Sequence, residues 1–194
     1  MRIFISILLA YLLWYFLFRI EFLNFWIRLL ISTSILLSIA LMNLKIKIFK
    51  PKPKFILIGT LSGIFFYFCL YLGFLAFKPL VYEGAKSVYN LSKELHPNLI
   101  SAILIFTSTS EEMFWRGYIQ GKLNLKYNCY KSLGLTSILY STIHISSINL
   151  PLVFIALVMG LMWGLLYNWS NSLLSVILSH IIWTELVFVV FPLA

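Results

Sequence analysis

Ser110-Glu111-Glu112-Met113-Phe114-Trp115-Arg116 places two adjacent carboxylates and an arginine inside residues 99–121, a stretch that otherwise reads as a membrane-spanning helix. A charge at the centre of a bilayer costs at least ~2.5–3.5 kcal/mol, and residues that carry that cost mark functional sites by default. These seven residues raise two questions. One is whether the chain is a membrane bundle. The other is which further side chains reach the same depth.

Composition answers the first. Of 194 residues, 61% are apolar and 11% are charged, against roughly 25% charged in a soluble domain. The expected fold is all-α: one polytopic transmembrane helix bundle over residues 1–194, with about seven spans. The net charge of +9 does not point to nucleic acid. The lysines cluster in short loops between apolar runs, as in multi-pass proteins of the cell membrane. Cys69 lies in an apolar run and Cys129 in a basic loop, so no disulfide between them is expected. The first apolar run lacks a small-x-small cleavage site, since Trp14, Tyr15 and Phe16 fill that region. It is therefore expected to be a retained span.

The apolar runs fall in order. Span one covers about 3–18, and span two runs from 22 or 29 to 44. Residues 45–54 (KIKIFKPKPK) carry five lysines and two prolines and cannot lie in lipid. Span three is 55–77, and the mixed connector 78–98 is expected to hold a surface helix ended by Pro97. Span four is 99–121, and 122–132 is a second basic loop. Span five runs from 133 to about 150, span six from Pro151 to about 167, and span seven over 173–192. Gly160 and Gly164 give span six a GxxxG spacing, which permits close helix approach. With 45–54 and 122–132 cytoplasmic, nine Lys and Arg fall inside and five outside, in keeping with the positive-inside rule.

The second question is one of depth. Glu111 lies ten residues before Gly121, His144 eleven after Leu133 and His180 seven after Leu173. At a rise of about 1.5 Å per residue, all three sit roughly 10–17 Å from the cytoplasmic end of their spans. They can therefore meet at one level, among spans four, five and seven. Glu112 and Arg116, at i and i+4, can pair along their own helix and leave Glu111 as the free carboxylate. Tyr140 and His144 share this spacing, with Tyr140 either orienting the imidazole or packing beneath it, and so do His180 and Thr184. A carboxylate can serve as general base for a water molecule. A histidine opposite can hold that water, and a second histidine with a hydroxyl can stabilise an oxyanion. This describes hydrolysis without a Ser or Cys nucleophile, for Ser108, Ser110 and Cys69 have no histidine at i, i+4. Two His and one Glu also form a possible divalent-metal set, such as zinc on Glu111, His144 and His180. His96 and Glu185 are not expected in the site.

Glu111-Glu112-x-x-x-Arg116, Tyr140-x-x-x-His144 and His180-x-x-x-Thr184, in this order and setting, resemble the three motifs of the CPBP intramembrane proteases, also called the Abi or CAAX protease family. The resemblance covers about residues 99–187. It implies that Glu111 activates water with His144 beside it. It further implies that His180 and Thr184 form the oxyanion site, with Glu112 and Arg116 in support. The implied activity is an intramembrane endopeptidase acting on a membrane-anchored protein, with no cofactor required on the metal-free form of the mechanism. Two positions depart from the family pattern: Tyr140 stands where Phe is usual, and Thr184 where Asn is usual. The alternatives are a non-enzymatic membrane protein, such as an immunity or scaffold factor, and a proton-coupled carrier with Glu111 and His144 as relay. For the carrier, spans three, six and seven offer few polar residues to line a path.

Overall fold

A backbone in lipid must satisfy its own N–H and C=O groups, and long apolar runs do so as helices. The computed structural model, which describes residues 2–44, 52–92 and 94–193, is helical accordingly. The helices are α1 (Arg2–Arg19), α2 (Phe25–Asn43), α3 (Pro53–Ser92), α4 (Pro97–Glu112), α5 (Gly121–Asn124), α6 (Cys129–Thr142), α7 (Leu150–Ser170) and α8 (Leu173–Glu185). A π-helical stretch, Met113–Gln120, joins α4 to α5. A 3-10 turn, Ile143–Ser147, extends α6, and a π-helical turn, Leu186–Val190, extends α8. Among the described residues these make seven continuous rods, one for each apolar run. Among the described residues, four helices are long and apolar enough to cross a membrane: Phe25–Asn43, Pro53–Leu91, Leu150–Ser170 and Leu173–Val190. The expected cytoplasmic stretch 45–54 lies, for residues 45–51, outside the described residues.

Three boundaries differ from expectation. The separate surface helix in 78–98 is instead the far part of α3. Pro79 sits inside that helix, and Phe77 adopts φ −113° and ψ 16°. Proline lacks a donor for the preceding turn and its ring clashes there, so the rod kinks and then resumes. Pro97 does not end a helix. It opens α4, behind the His96 side chain, which accepts from the Asn98 N–H at 3.3 Å. A proline at the first helical turn loses no hydrogen bond. The second basic loop is shorter than 122–132, because Lys122 lies within α5, which ends at Asn124, and Asn128 caps the next helix by accepting from the Lys131 N–H.

Close helix approach is built from small residues. A Cβ at Gly59 or Gly63 would lie 2.7 Å from the Ser175 or Ser179 carbonyl oxygen, so α3 and α8 touch backbone to backbone. The GxxxG of α7 behaves as its spacing predicts: a Cβ at Gly160 would meet Ser137 of α6 at 3.3 Å. The core formed between the rods is aromatic and charged at once. Trp14, Trp115, Trp163, Glu112, Arg116 and Gln120 are all fully buried.

Candidate active site

Glu112 closes α4, and Arg116 lies in the π-helical stretch that follows. Such wide turns recur at functional sites. The expected ion pair forms: Arg116 Nη1 donates to Glu112 Oε1 at 2.9 Å, with both side chains 0% exposed. Arg116 Nη2 donates to the Gly160 carbonyl at 3.2 Å. Its guanidinium lies 4.8 Å from the Tyr140 ring and 5.5 Å from the Trp163 ring. A buried charge needs this degree of pairing. Gln120, one turn further, donates to the Gly164 carbonyl at 3.0 Å. The two glycines thus serve twice, by admitting α6 and by baring their carbonyls to the π-helical stretch.

Glu112 has a second partner that spacing did not reveal. His180 Nδ1 donates to the same Oε1 at 2.8 Å. The His180 ring is stacked on Trp163, with centroids 3.7 Å apart and planes 26° apart. Among the described residues its Nε2 has no hydrogen-bond partner. Thr184, one turn on, bonds the His180 and Ile181 carbonyls of its own helix, each at 3.0 Å. It also lies 3.1 Å from Ser108 Oγ.

His144 stands on the 3-10 turn after α6, not within the helix. Its Nδ1 donates to the Tyr140 carbonyl at 2.8 Å. Because a carbonyl only accepts, the proton is on Nδ1, and Nε2 accepts from Trp14 Nε1 at 3.2 Å. Trp14 belongs to α1, far outside the motif region. Nothing in its local sequence separates it from the other aromatics of that helix. Tyr140 does not orient the imidazole through its hydroxyl. Its O–H donates to Glu111 Oε2 at 2.8 Å, while its ring meets His144 edge-on at 5.2 Å.

Glu111, His144, His180 and Thr184 line one cavity of about 160 Å³, together with Tyr140 and Ser108. A second, almost wholly apolar cavity of about 510 Å³ adjoins it between α3, α7 and α8, sharing Leu152, Ile155 and Trp183. His96 and Glu185 serve elsewhere: His96 caps α4, and Glu185 accepts from Ser101 Oγ at 3.0 Å. Cys69 and Cys129 are free thiols.

The donor set does not match a metal site as packed. Both ring nitrogens of His144 are engaged, and one Glu111 oxygen is held by Tyr140. Among the described residues, no three His, Cys, Asp or Glu side chains are placed to hold an ion.

Residues 95–185 match the family model for Rce1-like proteins, described as type II CAAX prenyl endopeptidase Rce1-like. All seven motif residues, from Glu111 to Thr184, fall within the match. No curated protein and no solved structure matches the chain.

Proposed function

We propose, from the match of residues 95–185 to the Rce1-like type II CAAX prenyl endopeptidase model, that this protein is an intramembrane endopeptidase of a membrane-associated protein substrate. Glu111 is the general base. It takes a proton from a water molecule as the water oxygen bonds to the scissile carbonyl carbon. The carbonyl π pair moves onto oxygen. When the tetrahedral intermediate collapses, the C–N bond breaks and the proton held by Glu111 passes to the leaving amine. His144 stands beside the water. His180 and Thr184 lie beside the developing oxyanion, where fixed polar groups contribute most to catalysis. Glu112 and Arg116 position His180 through the shared Oε1. No metal is required, and the rods form about seven spans with 45–54 and 122–132 on the cytoplasmic side.

One observation carries this reading. Glu111, with a single oxygen held by Tyr140, lines the same small cavity as both histidines. Packing alone gives no reason for an acid beside two imidazoles at a cavity wall. The apolar cavity alongside is of a kind that accommodates a lipid-modified or membrane-embedded substrate segment.

The test is Glu111→Gln in native membranes, with new protein N-termini identified by mass spectrometry. Membranes holding the wild type should yield termini that Glu111→Gln membranes lack, at equal protein levels. Identical termini from both proteins would overturn the glutamate mechanism.

A further inference from the structure

Residues 107–110 of α4 carry four hydroxyls in a row, and three are spent on their own helix. Thr107, Thr109 and Ser110 donate to the carbonyls of Leu104, Ile105 and Phe106. Ser108 does not. Its Oγ lies 3.1 Å from Thr184 Oγ1 across the cavity wall, and that is its one partner among the described residues. Ser108 is 2% exposed and lines the cavity with Glu111, His180 and Thr184. At i, i+3 from Glu111 it shares that residue's helix face.

The proton count between the two hydroxyls is unequal. Each hydroxyl has one proton to donate. Thr184 has two backbone carbonyls within 3.0 Å to receive its proton, the usual helical arrangement for threonine. The Thr184 proton is therefore taken by its own helix even though the side chain borders the oxyanion position. Ser108 has no carbonyl to serve, so its O–H rests on Thr184 Oγ1 and is free to turn into the cavity. If Thr184 instead donates to Ser108, the Ser108 proton is freed outright. In both arrangements the transferable hydrogen bond belongs to Ser108.

We infer that Ser108 is a catalytic residue within the endopeptidase reading above, on which this assignment rests. Its hydroxyl donates to the scissile carbonyl oxygen as that oxygen becomes an anion, and Thr184 holds Ser108 in place between turnovers. No proton is transferred from Ser108. Glu111 alone carries the water proton to the amine. The short Thr184 side chain, where the resembling motif usually has asparagine, leaves the donor position to the serine opposite.

The experiment uses the full chain in lipid vesicles and a quenched fluorescent peptide with a farnesylated C-terminal CAAX sequence. Ser108→Ala should lower kcat about 100-fold, the loss typical of one oxyanion donor, with KM unchanged. Ser108→Cys keeps the volume with a weak donor and should be similarly slow. Ser108→Thr should retain most of the rate. Thr184→Asn introduced into Ser108→Ala should restore at least about 10-fold, because a carboxamide brings its own N–H donors. A merely structural serine would show no such rescue. Unchanged kcat in Ser108→Ala and Ser108→Cys, or no rescue by Thr184→Asn, refutes the assignment while an inactive Glu111→Gln leaves the glutamate reading standing. Full activity in Glu111→Gln overturns that reading itself.

Discussion

Replacing Glu112 with glutamine removes one charge from a buried cluster. Glu112 and Arg116 are both 0% exposed, and Glu112 Oε1 receives Arg116 Nη1 at 2.9 Å and His180 Nδ1 at 2.8 Å. Two unit charges at that separation, at an effective dielectric constant near 20, attract by about 6 kcal/mol. Part of this is recovered in the variant, since Arg116 keeps the Gly160 carbonyl at 3.2 Å and the faces of Tyr140 and Trp163. The remainder is an arginine buried without a counter-charge, for which removal of one partner costs about 3–5 kcal/mol. The assay is graded SDS unfolding in mixed micelles, followed by far-UV circular dichroism. Glu112→Gln should lose about 3–5 kcal/mol of unfolding free energy. The double variant Glu112→Gln with Arg116→Met should recover at least half of that, because both charges leave together. A Glu112→Gln protein that unfolds at the wild-type SDS fraction would refute the argument. A double variant as damaged as the sum of its singles would also refute it.

Three further outcomes follow from other contacts. Gly63→Val should separate α3 from α8, because a Cβ there meets the Ser179 carbonyl at 2.7 Å; the same SDS titration should register a loss of about 1–3 kcal/mol, and an unchanged midpoint would contradict the close approach. Trp14→Phe keeps an aromatic ring but removes the donor to His144 Nε2, and should cost about 1–3 kcal/mol in that titration by leaving a buried acceptor unsatisfied. Treatment with 1,10-phenanthroline should leave the cleavage rate of the wild type unchanged, since both His144 nitrogens are already engaged; loss of activity restored by added zinc would contradict the metal-free mechanism.

Much of the site was legible because helices are locally periodic. Glu112 and Arg116 belong to one helical run, so their pairing needs only the i, i+4 rule. The GxxxG of α7 and the apolar runs are equally local. The kink at Phe77 was less legible. Pro79 announces a break, but whether the chain turns away or resumes as a helix depends on what packs beside it. Here Asn149 Nδ2 donates to the Gly84 carbonyl at 2.8 Å and ties the far part of α3 to the bundle.

The sequence by itself determined a bundle of apolar helices and the order of its rods, and it singled out Glu111, His144 and His180 as residues able to meet. These follow from hydropathy, helical rise and side-chain charge, which act within one segment. The tertiary structure decided which partner each motif residue takes. Glu112 meets His180 across 68 positions, Ser108 meets Thr184 across 76, and Trp14 meets His144 across 130. Helix periodicity states which face a residue occupies, but not which rod will lie against it. Close contacts at Gly59, Gly63 and Gly160 set that arrangement. The arrangement turns the stretch from Ser110 to Arg116 from an isolated set of buried charges into one wall of a cavity, with Glu111 at its surface and Glu112 behind it holding His180.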